Sequence, residues 1–191
     1  MKMDVKELYL KVNELMGTEV KVEGWIRNHR KQAHFGFIDF HDGTNFKSVQ
    51  VVYEDHIVEN FEEITKFRIG SAIEVVALVA PSEGKGQEFE LKAKKVTLLG
   101  DCPEDFPIQP KRHTREFLRE VAHLRPRTNL FQAIFRIRSV AAHAIHTYFQ
   151  EKGYVYVHTP LITKNDGEGA GEMFQVTTLD LDRIAKSGEV D

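Results

Sequence analysis

The first hundred residues are dominated by an apolar and polar alternation with a period of two, which is typical of strands. A hairpin turn is predicted by HDGTN at 41–45, between the second and third of these strands. Three strands, a helix and two strands, in this order, predict a five-stranded OB-fold barrel, a fold whose open face often binds oligonucleotides. The predicted strands are 19–30, 34–41, 46–53, 71–80 and 87–99, and the predicted helix is 56–67.

The same alternation assigns side chains to the two faces of each strand. It places Phe37, Gln50 and Glu90 outside, where a ring can stack on a base and polar groups can read its edge. Arg27 and Arg30, near the end of the first strand, are candidates to contact phosphates or a base edge. From the pattern alone, Phe37 packing under the helix or linker and the two polar groups being solvated remain open alternatives. The predicted core comprises Ile38, Phe40, Val49, Val51, Tyr53, Phe89, Leu91 and Ala93.

A change of pattern after the barrel divides the chain. Residues 100–110, GDCPEDFPIQP, carry three prolines and predict an extended linker. Beyond it, apolar residues at helical spacing predict a helix from the N-cap Thr128 to Gly153, followed by a short strand, YVYVHTP, that ends at Pro160. The prediction is a barrel domain over 1–99, a linker and hinge over 100–127, and an unfinished α/β domain over 128–191.

Charge and composition narrow the function only slightly. The formal net charge is −3, from 26 Lys and Arg against 29 Asp and Glu. The chain as a whole is therefore not basic. A local basic surface is nevertheless enough to bind nucleic acid, and residues 27–34, RNHRKQAH, supply one. The single cysteine, Cys102, and the lack of a signal peptide or long apolar stretch predict a soluble cytoplasmic protein without a disulfide. No metal site is predicted, because His143 and His146 have no third ligand at suitable spacing.

A glycine-rich segment, DGEGAGEMF at 166–174, raises a separate question. Glycine-rich loops often bind phosphate through backbone N–H groups, but the glutamates of this one would repel a phosphate. The segment is therefore expected to hold a cationic or amide-like group, or to be a surface loop without a ligand.

Three segments together resemble a known family: 115–139, REFLREVAHLRPRTNLFQAIFRIRS; 153–163, GYVYVHTPLIT; and 166–181, DGEGAGEMFQVTTLDL. They are similar to the asparaginyl-tRNA synthetases of the bacterial type, which belong to class IIb with the aspartyl and lysyl enzymes. The resemblance extends from the predicted barrel to the end of the chain.

This resemblance implies roles for the outer face of the barrel, which would bind the tRNA anticodon. Phe37 matches the ring that stacks on the central anticodon uridine, Gln50 the residue that reads that base, and Arg30 an arginine that assists. Glu90 matches a contact to the first anticodon base. The helix from Thr128 and the strand ending at Pro160 match motif 1, which forms a homodimer interface in the family.

The resemblance also implies the chemistry of the full-length enzyme. The loop with Glu168, Gly169 and Ala170 would close over the substrate, with Glu168 on the α-ammonium group of asparagine. ATP and Mg²⁺ would activate asparagine as asparaginyl-adenylate before its transfer to tRNA(Asn). Motifs 2 and 3 of the class do not occur in this sequence, so the chain is expected to be an amino-terminal part that binds the anticodon, holds no ATP or Mg²⁺ and does not catalyse. An aspartyl or nondiscriminating synthetase, or a non-catalytic RNA-binding module, remain the alternatives.

Overall fold

The computed structural model describes residues 2–82, 84, 86–165, 169, 174–180 and 185. The chain forms two compact units, Met1–Ala144 and Ile145–Asp191. Among the described residues, no helix combines the length and the apolar character needed to cross a membrane.

A closed five-stranded barrel forms the centre of the first unit. The strands are hydrogen-bonded in the order β1-β2-β3-β5-β4, and all neighbours are antiparallel except the parallel pair β3 and β5. The predicted OB-fold is thereby confirmed. The strands are β1 Glu19–Lys31, β2 Phe35–His41, β3 Val49–Glu54, β4 Ala72–Pro81 and β5 Phe89–Gly100.

The barrel interior follows the predicted alternation. Ile38, Phe40, Val51 and Tyr53 are fully buried, as are the alternate positions of the other strands. The pattern is interrupted by a bulge in β1 at the residue between Ile26 and Asn28, and by two register shifts in the β4–β5 ladder, at Ala72/Ile73 and Val76/Ala77. A bulge shifts the side chains that follow it to the opposite face, so alternation cannot be extrapolated through this point.

Helices cover the barrel more sparingly than the sequence predicted. The helix between β3 and β4 is reduced to α3, Phe61–Ile64. The predicted helix over 56–67 was too long, because Ile57, which its apolar face required, is 44% exposed. Asn60 stands before α3, and its side chain donates to the backbone oxygen of Val96, which ties this turn to β5.

Two short helices at the amino terminus were not predicted. Helix α1, Val5–Leu10, begins with a capping box in which Asp4 and Glu7 bind each other's backbone N–H groups. Its Leu8 is fully buried in the core cluster of the barrel. Helix α2, Val12–Leu15, follows directly.

The proline-rich linker is packed against the barrel. Cys102 and Phe106 are buried, so the prediction of an extended linker identified the lack of regular structure but missed the packing. Further along, α4, Arg115–Glu120, is capped by the hydroxyl of Thr114, and a 3-10 helix covers Arg125–Arg127.

The long helix α5, Asn129–Glu151, begins and ends as predicted. The Thr128 hydroxyl accepts from the backbone N–H of Phe131 at 3.4 Å, and Gly153 follows the helix with φ of +83°. The apolar side chains of α5 are mostly exposed, for example Ile137 at 68%.

The strand predicted over 154–160 is not formed. These residues have no regular secondary structure and are exposed, with Val155 at 84%. His158 has φ of +50°, which lies outside the extended region. A strand is stabilised by pairing with a neighbour, and none of the described residues pairs with this segment.

Candidate nucleic-acid interface

Three of the predicted binding residues meet on the outer face of the barrel. Arg30 on β1 lies opposite Phe37 on β2, and its guanidinium carbon is 5.2 Å from the centroid of the ring. The same guanidinium donates from Nη2 to Oε1 of Gln50 on β3 at 3.3 Å. Because Arg30 is exposed and Phe37 is half-buried, the cation and part of the ring are open to a ligand.

The fourth predicted residue, Glu90 on β5, is linked to the same group. Gln50 donates from Nε2 to Glu90 Oε2 at 3.4 Å, and the Ser82 hydroxyl donates to that oxygen at 3.1 Å. Gln87 donates in turn to the Ser82 hydroxyl at 2.9 Å. Glu90 is only 6% exposed, so the interpretation of this residue as a solvated surface group was wrong.

A small cavity opens beside these side chains. Its volume is about 240 Å³, and it is faced by the Phe37 ring, the Arg30 guanidinium, the Gln50 amide and the carboxylate of Asp39, whereas Glu90 lies behind Gln50 and does not line it. This set of groups can hold a planar ring and satisfy donors and acceptors on its edge. The cavity is lined by Asn28, Arg30, Phe37, Asp39, Ser48, Gln50 and Gln87.

Four of the lining residues were not proposed from the sequence as binding residues. Asp39 and Ser48 lie two positions from Phe37 and Gln50, respectively, so alternation puts them on the same outer face, but it suggests no role for either. Asn28 follows the β1 bulge, where alternation fails. Gln87 falls within the strand predicted over 87–99, but β5 begins only at Phe89, so alternation does not assign its side chain to a face.

Arg27 does not join the group formed by Arg30, Phe37, Gln50 and Glu90. Its Nη2 donates to the side-chain oxygen of Asn129, at the start of α5. Arg27 also lines a second cavity of about 600 Å³ between the barrel and the linker. This cavity shares Asn28 and Asp39 with the smaller one, and its cationic side chains are Arg27, Lys111, Arg112 and Arg127. A local basic surface therefore adjoins the base-sized cavity, although the whole chain is acidic.

His29 has a structural role inside the same strand. Its pKa is lowered by burial, and burial also raises the pKa of Tyr53 to about 12. The Tyr53 hydroxyl therefore donates to Nε2 of a neutral His29 at 2.8 Å, while Nδ1 donates to the backbone oxygen of Phe67 at 3.0 Å. This network fixes β1 against β3 from the inner side.

The predicted substrate loop is not tested by the structure. Glu168 and Ala170 lie outside the described residues, and Gly169 has φ of +65°, a conformation that favours glycine. Pro160 is exposed within the irregular segment after α5. In the part of the chain that the structure describes, no three His, Cys, Asp or Glu side chains are grouped for a metal ion.

Comparison with known proteins supports both halves of this description. Residues 20–99 match the OB-fold nucleic acid binding domain, and residues 114–185 match the tRNA synthetases class II (D, K and N). The asparagine–tRNA ligase of Acholeplasma laidlawii is 55% identical over 183 residues, which are 96% of this chain and 40% of the relative. That of Clostridium novyi is 54% identical over 189 residues, 98% of this chain and 41% of the relative.

A solved structure shows the same fold. The asparaginyl-tRNA synthetase from Pyrococcus horikoshii complexed with asparaginyl-adenylate aligns with a TM-score of 0.76 at 25% identity, covering 87% of this chain and 39% of that one. A barrel that matches the nucleic-acid-binding OB-folds, joined to a segment of the class II tRNA synthetases of the D, K and N group, defines the class of this protein. Within that class the chain is similar to the asparaginyl-tRNA synthetases, and it spans about 40% of the length of the relatives that it matches.

Proposed function

We propose that this chain binds the anticodon stem-loop of tRNA(Asn) through the outer face of its barrel. The observation that carries the proposal is the meeting of Arg30, Phe37, Gln50 and Glu90, from four strands, beside one base-sized cavity. The match of the barrel to nucleic-acid-binding OB-folds supports the same ligand class.

In this proposal each side chain has a separate task. The Phe37 ring stacks on the central anticodon base, and the amide of Gln50 hydrogen-bonds to the edge of that base. Arg30 lies over the ring at 5.2 Å and adds a positive charge beside the base. Glu90, which the resemblance assigned to the first anticodon base, borders the same group through Gln50.

We further propose that the full-length protein is an asparagine–tRNA ligase. It would activate asparagine with ATP and Mg²⁺ to asparaginyl-adenylate and transfer the asparaginyl group to tRNA(Asn). The segment with Glu168, Gly169 and Ala170 would hold the α-ammonium group of asparagine. The exposed apolar side of α5, together with Pro160, would form a homodimer interface. ATP and Mg²⁺ would be held by motifs 2 and 3 of the class, which we assign to the part of the relatives that this chain does not span.

The binding proposal is tested by titrating this chain with labelled anticodon stem-loops of the tRNAs for asparagine and aspartate at two salt concentrations. Phe37→Ala is expected to weaken binding of the asparagine loop by about tenfold or more, because stacking on an aromatic ring is worth about 1–3 kcal/mol per base. Phe46→Ala is the matched control, since Phe46 is also exposed but does not line the cavity. Equal effects of the two variants on binding of the asparagine loop, or no binding of either loop by the folded chain, would contradict the proposal.

A further inference from the structure

The first two turns of α5 are hydrogen-bonded to the barrel at two separate points. Arg27 on β1 donates from Nη2 to the side-chain oxygen of Asn129, the first residue of the helix. Arg136 on α5 donates from Nη2 to the backbone oxygen of Gly43 at 2.7 Å. Because Asn129 and Arg136 are about two helical turns apart, both lie on the side of α5 that faces the barrel.

The barrel end of the first contact is set by the bulge in β1. The bulge lies at Arg27, and a bulge re-aims the side chain at its position. Arg27 is thereby directed to α5, while the next residue, Asn28, lines the small cavity on the outer face. The contact with α5 therefore starts one residue away from the surface that we propose binds RNA.

The barrel end of the second contact is a turn that is itself held in place. Gly43 lies in the turn between β2 and β3. The Asp42 carboxylate accepts from the backbone N–H of Val5 at 2.7 Å and from that of Thr44 at 2.9 Å. The Thr44 hydroxyl accepts from the backbone N–H of Lys6 at 3.1 Å. These bonds attach the turn to the start of α1, so the Gly43 oxygen is a fixed acceptor.

Side-chain packing does not replace the second contact. A cavity of about 390 Å³ lies beside it and is lined by the turn and by side chains of α5. Because this space is not filled, the hydrogen bond of Arg136 limits how far α5 can pivot about Asn129.

We propose that the contacts of Arg27 with Asn129 and of Arg136 with Gly43 form a clamp that fixes the direction of α5 on the barrel. In the full-length ligase this clamp positions the class II domain for the charging of a tRNA that the barrel holds. Asn129 and Arg136 are then positioning residues, which act through α5 and not through contact with the reacting groups. The inference rests on the proposed ligase function and adds residues that set its geometry.

The two steps of the proposed reaction depend on the clamp differently. Transfer of the asparaginyl group requires the 3′ end of the bound tRNA to reach the adenylate, and a misplacement of about 1 Å can lower such a rate by about 100-fold. Formation of the adenylate from asparagine and ATP involves no tRNA, so a loose clamp leaves it unchanged.

The test is the double variant Asn129→Ala with Arg136→Met in the full-length protein. The first change removes an acceptor without altering Arg27, and the second keeps a long side chain without its donors. Both positions are exposed, so folding is not at risk. The kcat for charging tRNA(Asn) is expected to fall by about tenfold or more, while the KM for tRNA, the affinity for the anticodon stem-loop and asparagine-dependent ATP–pyrophosphate exchange stay within about twofold.

Arg138→Met is the matched control. Arg138 is an exposed arginine on the same helix whose side chain forms no hydrogen bond or ion pair with the other described residues. This variant is expected to charge tRNA like the original protein. Arg136→Lys keeps a donor at the end of a long side chain and is expected to recover most of the rate that Arg136→Met loses.

The pivot itself can be measured in this chain by electron paramagnetic resonance. Spin labels are attached through Lys95→Cys on β5 and Ala142→Cys on α5, which are both exposed positions. Because Cys102 is buried, labelling is directed to the two new cysteines. The distance distribution is expected to be narrow with the clamp intact and broader in the double variant, and an unchanged distribution would overturn the clamp.

Three further results would overturn it. If the double variant charges tRNA like the original protein, the contacts do not position the class II domain. If adenylate formation falls by the same factor as charging, they support the fold of that domain instead. If lower stem-loop affinity accounts for the loss, they belong to the RNA-binding surface. A full-length protein that forms no adenylate and charges no tRNA is a different result, and it would reject the proposed ligase function itself.

Discussion

Two arginine and aromatic contacts on the barrel have similar geometry and opposite settings. Arg30 lies 5.2 Å from the Phe37 ring on the open outer face. Arg127 lies 4.8 Å from the Trp25 ring and 5.6 Å from the Phe106 ring, beneath the packed linker. The contact between Arg30 and Phe37 leaves the ring and the charge available to a ligand. Arg127, in contrast, is already enclosed between two rings of the protein itself.

The surroundings show what each contact does. Arg127 donates to the backbone oxygen of Gly70 at 3.3 Å, and burial lowers its pKa. A cation removed from water in this way is favourable only with firm partners, so the contact belongs to the attachment of the linker. Arg30 is exposed and can be solvated by water instead, so its contact with Phe37 contributes little to the free energy of unfolding. The same chemical pair therefore stabilises structure in one place, and in the other it is left open for the binding role that we propose.

Gly70 gives the strongest test of the buried contact. Its φ is +92°, and an added Cβ would lie 2.7 Å from Cys102 Sγ and 2.9 Å from the Phe106 ring. Gly70→Ala is expected to lower the free energy of unfolding by about 3 to 5 kcal/mol, from backbone strain and overpacking together. Gly17→Ala is the control, because Gly17 has φ of +75° and open space around it, and it should lose only about 1 kcal/mol. Equal losses in urea unfolding would show that the linker packing contributes nothing.

His41 makes the stability of the same region depend on pH. Burial and the nearby charges of Arg27 and Arg127 lower its pKa to about 4, against the opposing effect of Asp39 and Asp42. The unfolded chain, with a histidine pKa near 6.5, takes up this proton first as the pH falls. Stability from this group is therefore complete above about pH 6.5 and is lost toward pH 4, roughly 2 to 3 kcal/mol between pH 7 and 4.5.

Urea unfolding of the original chain and of His41→Gln at these two pH values isolates that effect. The variant should keep only the weaker pH dependence of the remaining groups, among them His29, whose pKa is also lowered, and Asp55, whose carboxylate is paired with His34. An unchanged slope in the variant would exclude His41 as the cause.

The two arginines should separate most clearly when each is removed. Arg127→Ala is expected to lower the free energy of unfolding by about 2 kcal/mol, because it removes two ring contacts and one hydrogen bond from a half-buried charge. Arg30→Ala should change it by no more than about 0.5 kcal/mol, as is usual for an exposed position. Stem-loop affinity should show the larger loss in Arg30→Ala. If the two variants lost the same free energy of unfolding, the conclusion that only the Arg127 contact stabilises the fold would be wrong.

The sequence predicted the open face better than the buried attachment. Phe37, Gln50 and Glu90 follow from strict alternation, which is a local property of a regular strand. Asn28 was missed because the β1 bulge resets the alternation, and Glu90 was not recognised as buried because its partner Ser82 comes from the end of a different strand. These are contacts between distant segments, which no local period reports.

The linker shows the same limit. Prolines in 100–110 correctly indicated a lack of helix and strand, but a missing hydrogen-bond pattern does not mean missing packing. Arg127 carried no signal of its burial, since an arginine is normally exposed. Its site depends on Trp25 and Phe106, which lie 102 and 21 positions earlier in the chain.

The parallel pairing of β3 with β5 has a consequence for motion. This ladder registers only Val51 with Leu91 and Val52 with Lys92, whereas the β4 and β5 ladder runs from Ala72 to Pro81. Of the five strand pairs in the barrel, β3 and β5 therefore have the fewest backbone hydrogen bonds to break before the barrel opens. The hydrogen bond between the Gln50 and Glu90 side chains joins β3 to β5 at this short ladder. A base bound by Gln50 would therefore stabilise the barrel where its backbone pairing is shortest. Binding RNA would then suppress local opening, and amide hydrogen exchange along β3 would slow while that of the long hairpin stayed the same.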